Sequence, residues 1–417
     1  MKYDVIGLYE HNEISYDKVK EAFKTSDVVG IVQATGTGKS YNALQICYDN
    51  QDKKIIYVVP SLGIIEHIKS IIEENPNLSL DKDFKNVEFR TYQSFLNLSK
   101  KEMESIPCDL IIDDEFHHLG APVWGQRVKT FIELHPGVKV FGMTAYTVRD
   151  RGTIYERDMA NPDTDELFSN KIVSKYDLCD AMVDKVLPKP IYKCAYIGLE
   201  KMLNEFEDKV KESSKEINEL LESARKKVHE APSIKDLVIK SIKKNGKYIY
   251  FCPPYSEKGA NDIESIKKEA LEWFKSILPE EDIVFYTSTS DMGTFGKQNR
   301  KAFYNDLDLE GKDAKGKLRV MFAINQYNEG IHAPNVDGVI MGRTTTSDIV
   351  FFEQLGRALS VKGNTFEEYN HLINLSYEQL LQLCKDKDIP VKEDATKEDM
   401  IESLLAPVVI DLVGNYE

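Results

Sequence analysis

Gln33-Ala34-Thr35-Gly36-Thr37-Gly38-Lys39-Ser40 follows the apolar run Val28-Val29-Gly30-Ile31-Val32 and leads into a helix-compatible segment from Tyr41 to Tyr48. A strand, a glycine turn and a helix N-terminus make a cradle for phosphate. Gly36 and Gly38 open backbone dihedrals closed to other residues and bring N–H groups close to an anion. The helix that follows aims its positive end and free N–H donors at the same point. Thr35, Gly36, Thr37 and Gly38 are thus expected to wrap a nucleotide's phosphates. Lys39 would reach the β- and γ-phosphates, and the Ser40 hydroxyl would ligate Mg²⁺.

Alternation of strand-like and helix-length runs places this loop in a sheet. Val28–Val32, Lys54–Val59, Val87–Thr91, Leu110–Ile112 and Val138–Gly142 are the strand candidates. Strands spaced by helices predict a parallel, doubly wound α/β sheet, whose ligands gather at the strands' carboxyl ends. One of those ends reads Asp109-Leu110-Ile111-Ile112-Asp113-Asp114-Glu115-Phe116-His117-His118. An apolar strand ending in Asp-Glu sets one carboxylate, Asp114, beside a metal and the next, Glu115, beside an attacking water. Asp113 occupies a place usually apolar and has no role in this scheme.

The loop has Gln33 where the common P-loop pattern has glycine. Its form, Ala-x-x-Gly-x-Gly-Lys-Ser, together with Asp114-Glu115-Phe116-His117, resembles motifs I and II of the superfamily-2 helicases and translocases, of the Asp-Glu-x-His type. Further segments fall in the family's order. Val59-Pro60-Ser61 resembles motif Ia, and Arg90-Thr91-Tyr92-Gln93-Ser94 resembles motif Ib. Gly142-Met143-Thr144-Ala145-Tyr146 resembles motif III, with Tyr146 in place of the usual Thr. The resemblance implies strand contacts from Pro60, Ser61, Thr91, Tyr92, Thr144 and, later in the chain, Thr287. His11-Asn12 lies where such proteins often place an adenine-contacting element, although a capping or surface role is open to Asn12.

A second α/β repeat begins near Lys247, with strand candidates Tyr248–Cys252, Ile283–Tyr286, Leu318–Ala323, Gly338–Met341 and Val408–Val413. Phe251-Cys252-Pro253-Pro254 resembles motif IV. Asn328-Glu329-Gly330-Ile331-His332-Ala333-Pro334 resembles motif V, with His332 where many relatives have Asp, and places Gly330 at the nucleotide. Glu353-Gln354-Leu355-Gly356-Arg357-Ala358-Leu359-Ser360 resembles motif VI. Gln354 and Arg357 would then act on the γ-phosphate, and Ser360 replaces the motif's second arginine. Arg343 is a candidate to lend that missing charge.

The expected organisation is two RecA-like parallel-sheet P-loop NTPase domains in tandem. Residues 1–150 form the first, 151–245 a linker with a long Lys- and Glu-rich helix from Glu200 to His229, and 246–417 the second. If Pro407–Val413 closes the second sheet, residues 363–405 are an insertion. Its helix, Pro turn and helix are similar to a SAP-type DNA-binding hairpin, while its acidity suits a packing or protein-docking module.

Composition narrows the class. The 417 residues are 42% hydrophobic and 29% charged, with a net charge of −15. Residues 363–417 hold twelve acidic and four basic side chains, so about half the excess lies there. Such a balance argues against a chain coated in nucleic acid and for a local groove. No run approaches the roughly 18 apolar residues of a membrane span, and Met1-Lys2-Tyr3-Asp4 opens no signal peptide. Cys47, Cys108, Cys179, Cys194, Cys252 and Cys384 form no C-x-x-C pair, which suits the cytoplasm and gives no zinc site. Abundant Lys, Ile, Asn and Tyr suit an AT-rich bacterial genome.

The resemblance implies an ATP- and Mg²⁺-dependent motor on nucleic acid, with DNA favoured by the likeness to bacterial restriction-enzyme motor subunits. No nuclease motif accompanies it. An RNA-dependent ATPase and an ATP-gated scaffold working through residues 363–405 are the alternatives.

Overall fold

The computed structural model describes residues 3, 5–149, 157–195, 217, 220–224, 233–253, 263–289, 292–324, 333, 335–345, 348–359, 371–386, 389 and 391–415. The chain divides into two compact units, the first spanning Met1–Leu187 and the second beginning at Pro188.

The first unit is built on a six-stranded sheet. Strands β1 (Val28–Gln33), β2 (Ile55–Val59), β3 (Val87–Thr91), β4 (Leu110–Asp114) and β5 (Lys139–Thr144) come as the apolar runs predict. A two-residue antiparallel hairpin, β6 (Val148–Arg149) with β7 (Arg157–Asp158), follows. Strand β8 (Ile172–Tyr176) then completes the sheet, whose order is β3-β2-β4-β5-β1-β8 and whose pairings are all parallel. Covered on both faces, these strands can be apolar at every position, and β2 and β4 are buried throughout. One core lies under the helices Glu10–Ala22, Lys39–Asp49 and Leu62–Glu74, and the other under Pro122–Leu134 with Phe95, Phe116 and Phe168.

The boundary expected near residue 150 therefore lies later, between Leu187 and Pro188. Phe168 shows why. It is fully buried and stacks on Phe116 with ring centroids 4.2 Å apart. It lies over Gly30 and Gly142, where a methyl group on Gly30 would come within 2.9 Å of its ring. Two glycines on neighbouring strands make a trough that Phe168 fills together with Ile172 and Phe116.

The second unit carries its own parallel six-stranded sheet, of order β11-β12-β10-β13-β14-β9. Its members are β9 (Ile191–Cys194), β10 (Lys247–Phe251), β11 (Ile283–Ser288), β12 (Leu318–Ala323), β13 (Gly338–Met341) and β14 (Val408–Asp411). The expected linker is thus shared out, β8 going to one sheet and β9 to the other. The long helix read over Glu200–His229 lies outside the described residues apart from positions 217 and 220–224, which are helical.

Strand β14 pairs with β13 on one side and β9 on the other, so what precedes it is an insertion. Within that insertion the helices Tyr377–Asp386 and Lys397–Leu405 close a separate small core of Leu372, Leu380, Cys384, Met400, Ile401 and Leu404. Residues 363–370 and positions 387, 388 and 390 of it lie outside the described residues. No helix among the described residues is long and apolar enough to cross a membrane.

Candidate nucleotide site

The glycine loop leaves β1 and takes left-handed backbone at Gly36 (φ 86°) and Gly38 (φ 87°), conformations open to glycine without strain. Gly38 is also the N-cap of the Lys39–Asp49 helix, so the loop empties onto a helix N-terminus. A polar lattice fixes it from behind. His11 Nε2 and Asn12 Nδ2 both donate to the Thr37 carbonyl, at 2.7 and 3.0 Å. Asn42 Nδ2 lies 3.1 Å from Asn12 Oδ1 and 3.3 Å from Gln33 Oε1, and all three amides are buried. Gln33, the departure from the common loop pattern, is thus part of the loop's support. A methyl group on Gly38 would meet Asn12 Nδ2 at 2.8 Å. Asn12 therefore holds the loop rather than lying on the surface.

Lys39 is buried, and its Nζ lies 3.2 Å from the Gln33 carbonyl and 3.7 Å from Glu115 Oε1. Asp114 ends β4, and Glu115 turns the chain out of it with φ 60°. Left-handed backbone is costly for a glutamate and is held here by its surroundings. Glu115 Oε2 lies 2.9 Å from Thr144 Oγ1 and 3.3 Å from the Ala145 N–H, while His117 Nδ1 lies 2.8 Å from the same Thr144 oxygen. Motif II and motif III are joined through one hydroxyl.

Electrostatics separate the three carboxyls. Burial and the neighbouring Glu115 charge push Asp114 upward, partly offset by Lys39. Burial also acts to raise Glu115, but Lys39, the His117 ring and Thr144 hold it below the usual carboxylate range. Asp113, fully buried among apolar strands, is pushed well up by burial and by Asp114's charge. Both causes favour its protonated form.

Of the residues read from the sequence as strand contacts, Thr144 and Thr287 are buried and the others are part-exposed. The Tyr92 hydroxyl donates to the main-chain carbonyls of Asp114 and Glu115, the latter at 3.1 Å, and its ring stacks on Trp124. It buttresses the carboxylate turn. Thr144 is fully buried on the nucleotide side. Thr91 caps the Tyr92–Leu96 helix by accepting from the Ser94 N–H at 3.1 Å. Pro60 and Ser61 are part-exposed at the end of β2, where Ser61 is an N-cap whose side chain makes no cap bond. Thr287 is buried in β11, its N–H donating to Asn299 Oδ1 at 2.9 Å. Sequence order alone carries no signal for these burials.

A further feature joins the site from the segment read as linker. The His11 ring stacks on Tyr176, the last residue of β8, with centroids 4.5 Å apart and planes 12° from parallel.

In the second unit, Gln354 and Arg357 share a face of the helix Asp348–Ala358, and both are buried. Arg343 is half-buried, and burial lowers its affinity for a proton. Its carbonyl accepts from Asn415 Nδ2 at 2.9 Å, and Asn415 Oδ1 accepts from the Thr345 N–H at 2.8 Å. Asp411 orders that terminal turn by accepting from the N–H groups of Val413, Gly414 and Asn415. Gly330 and His332 of motif V, Pro254 of motif IV and Ser360 of motif VI lie outside the described residues.

Two parallel α/β units, one with a phosphate loop and an Asp-Glu strand end and the other with a Gln-x-x-Gly-Arg helix, define the fold class of the tandem P-loop NTPases. Residues 6–149 match the family described as type III restriction enzyme, res subunit. Among solved structures, the chain resembles an HsdR-subunit fragment of a type I restriction enzyme from Vibrio vulnificus YJ016, with TM-score 0.53 and 16% identity over 97% of this chain and 64% of that one. It also resembles the ATP-dependent type ISP restriction-modification enzyme LlaBIII bound to DNA, with TM-score 0.54 and 17% identity over 99% of this chain and 32% of that one. The Escherichia coli DEAH/RHA helicase HrpB matches with TM-score 0.50 and 12% identity over 97% of this chain and 42% of HrpB. The chain thus spans less than two thirds of the length of these structures. A comparison with curated protein sequences gives no match. The resemblance to superfamily-2 helicases of the restriction-enzyme type, first read from the motifs, holds.

Proposed function

We propose that this chain is an ATP-driven motor that moves on nucleic acid, with DNA as its track. The observation that carries this reading is the chain of contacts from Lys39 through Glu115 and Thr144 to His117. It binds the phosphate-loop lysine, the water-directing carboxylate and motif III into one unit. Glu115, kept ionised, is suited to orient and deprotonate a water, while Lys39 faces the phosphates. Hydrolysis of this kind relies on positioning and charge neutralisation more than on covalent chemistry.

The residues present fit Mg²⁺. Two adjacent carboxylates with a single lysine at 3.7 Å leave negative charge in a buried place, and a hydroxyl plus a carboxylate is the hard-oxygen donor set this ion takes. Ser40 and Asp114 would hold it, and it would neutralise charge on the β- and γ-phosphates. In the second unit Gln354 and Arg357 are assigned to the γ-phosphate, with Arg357 as the finger, and Gly330, outside the described residues, is assigned to the nucleotide. The likeness to a restriction-modification enzyme bound to DNA supports DNA over RNA. The helical insertion of residues 363–405, acidic and with its own core, is assigned to a protein partner.

Steady-state ATPase measured without nucleic acid and with single-stranded DNA, duplex DNA or RNA tests the reading. Stimulation by DNA that Lys39→Ala and Glu115→Gln both abolish is the expected result. Turnover indifferent to every nucleic acid would sink the motor and turn the search to protein partners of the insertion.

A further inference from the structure

Thr287, which the motifs nominate for a strand contact, is buried, yet the element behind it is exposed and unusual in charge. The helix Gly293–Tyr304 follows β11 and carries Lys297, Arg300 and Lys301 with no acidic residue, in a chain of net charge −15. Its first turn presents Phe295 with 55% of its surface in water. Large aromatic side chains are normally drawn into cores, and this helix has a core face of its own at Gly296, Asn299 and Phe303. Phe295 lies on the flank of that face, one turn before exposed Gln298, with Lys297 and Lys301 together on a row further round the helix.

The ring's backbone is tied to the carboxyl end of β11. Asn299, buried, accepts from the Thr287 N–H at 2.9 Å and donates from Nδ2 to the Phe295 carbonyl at 3.1 Å. Arg300 Nη1 donates to Ser288 Oγ at 2.8 Å. Gly296 lets this turn lie close, since a methyl group there would meet Met292 Cβ at 3.1 Å and the Thr289 carbonyl at 3.7 Å. An aromatic ring so anchored at the ligand-gathering edge of a parallel sheet, on a locally basic helix, matches the chemistry of single-stranded nucleic acid.

We infer that Phe295 is a stacking platform for a base of a bound single strand, on a helix whose Lys297 and Lys301, further round from the ring, attract the strand by charge. This rests on the motor reading and names a surface for its track. A stacked base holds one nucleotide against the second unit without reading its identity, since every base offers a π face.

Anisotropy of labelled oligothymidylate, oligouridylate and an abasic oligodeoxynucleotide tests it on the full chain. Phe295→Ala is expected to weaken oligothymidylate binding by roughly 10-fold, in the range for loss of one aromatic–base stack. Phe295→Tyr should restore it, and the abasic strand should bind the native chain and Phe295→Ala alike. Lys297→Gln with Lys301→Gln should weaken all strands and flatten the salt dependence. Comparison of the thymidylate and uridylate arms tells whether DNA or RNA is held there. If the native chain binds oligothymidylate and Phe295→Ala binds it equally well, the stacking inference falls and the motor reading stands. If the native chain binds no strand, the motor reading falls and takes the platform with it.

Discussion

A single hydroxyl, that of Thr144, touches the carboxylate that would activate water and the imidazole of His117. Thr144→Val keeps the shape and removes both bonds. Hydrogen bonds to charged groups contribute about 1.5–3 kcal/mol, so hydrolysis is expected to fall by roughly 10-fold or more. Affinity for a fluorescent ATP analogue, set by the loop, should be unchanged. Asp113 makes the opposite kind of prediction. Burial, then Asp114's charge, raise its folded-state pKa above the unfolded value. The stability it allows is fully present below the unfolded value and is lost as pH rises through the folded one. Asp113→Asn preserves the neutral form at every pH. Its melting temperature should therefore exceed the native one increasingly as pH is raised, and an equal pH slope in both proteins would overturn the assignment.

At the scale of elements, the fold's least legible part is its most testable. Phe168 fills the trough made by Gly30 and Gly142 and brings β8 onto the first sheet. Phe168→Ala should cost about 3–5 kcal/mol in urea unfolding, as large-to-small changes in cores do. A second effect should follow at the nucleotide, because Tyr176, stacked on His11, rides on β8. The inner strands could be read in the sequence because both their faces are covered and their residues are mostly apolar. So could the phosphate loop and the Asp-Glu strand end, where chemistry restricts the residue types. Strands β8 and β9 are edge strands of five and four residues with mixed burial, and nothing local separates them from a linker. The burial of Thr144 and Thr287 and the seating of Tyr92 were likewise hidden, since they depend on partners distant in the chain. Gln33 looked like a departure from a pattern and is a support only because Asn12 and Asn42 fold onto it.

For the whole molecule, the glycine loop and Arg357, the finger of the proposed motor, belong to different units. Arg357→Ala should leave ATP-analogue affinity near native while turnover falls by roughly 10³-fold or more, the scale of an arginine finger. Loss of affinity and turnover together would instead make Arg357 a structural residue of its helix. The placing of β14 has a consequence of another kind. Strand β9 finds its sheet only through β14, which lies beyond Met341 and the helical insertion. During synthesis the first sheet has its last strand by Tyr176, but β9 must wait for Asp411. At typical elongation rates that is about 10–40 s spent as an unpaired edge on the ribosome. The second sheet is thus completed late, and β9 is the strand that waits longest for its partner.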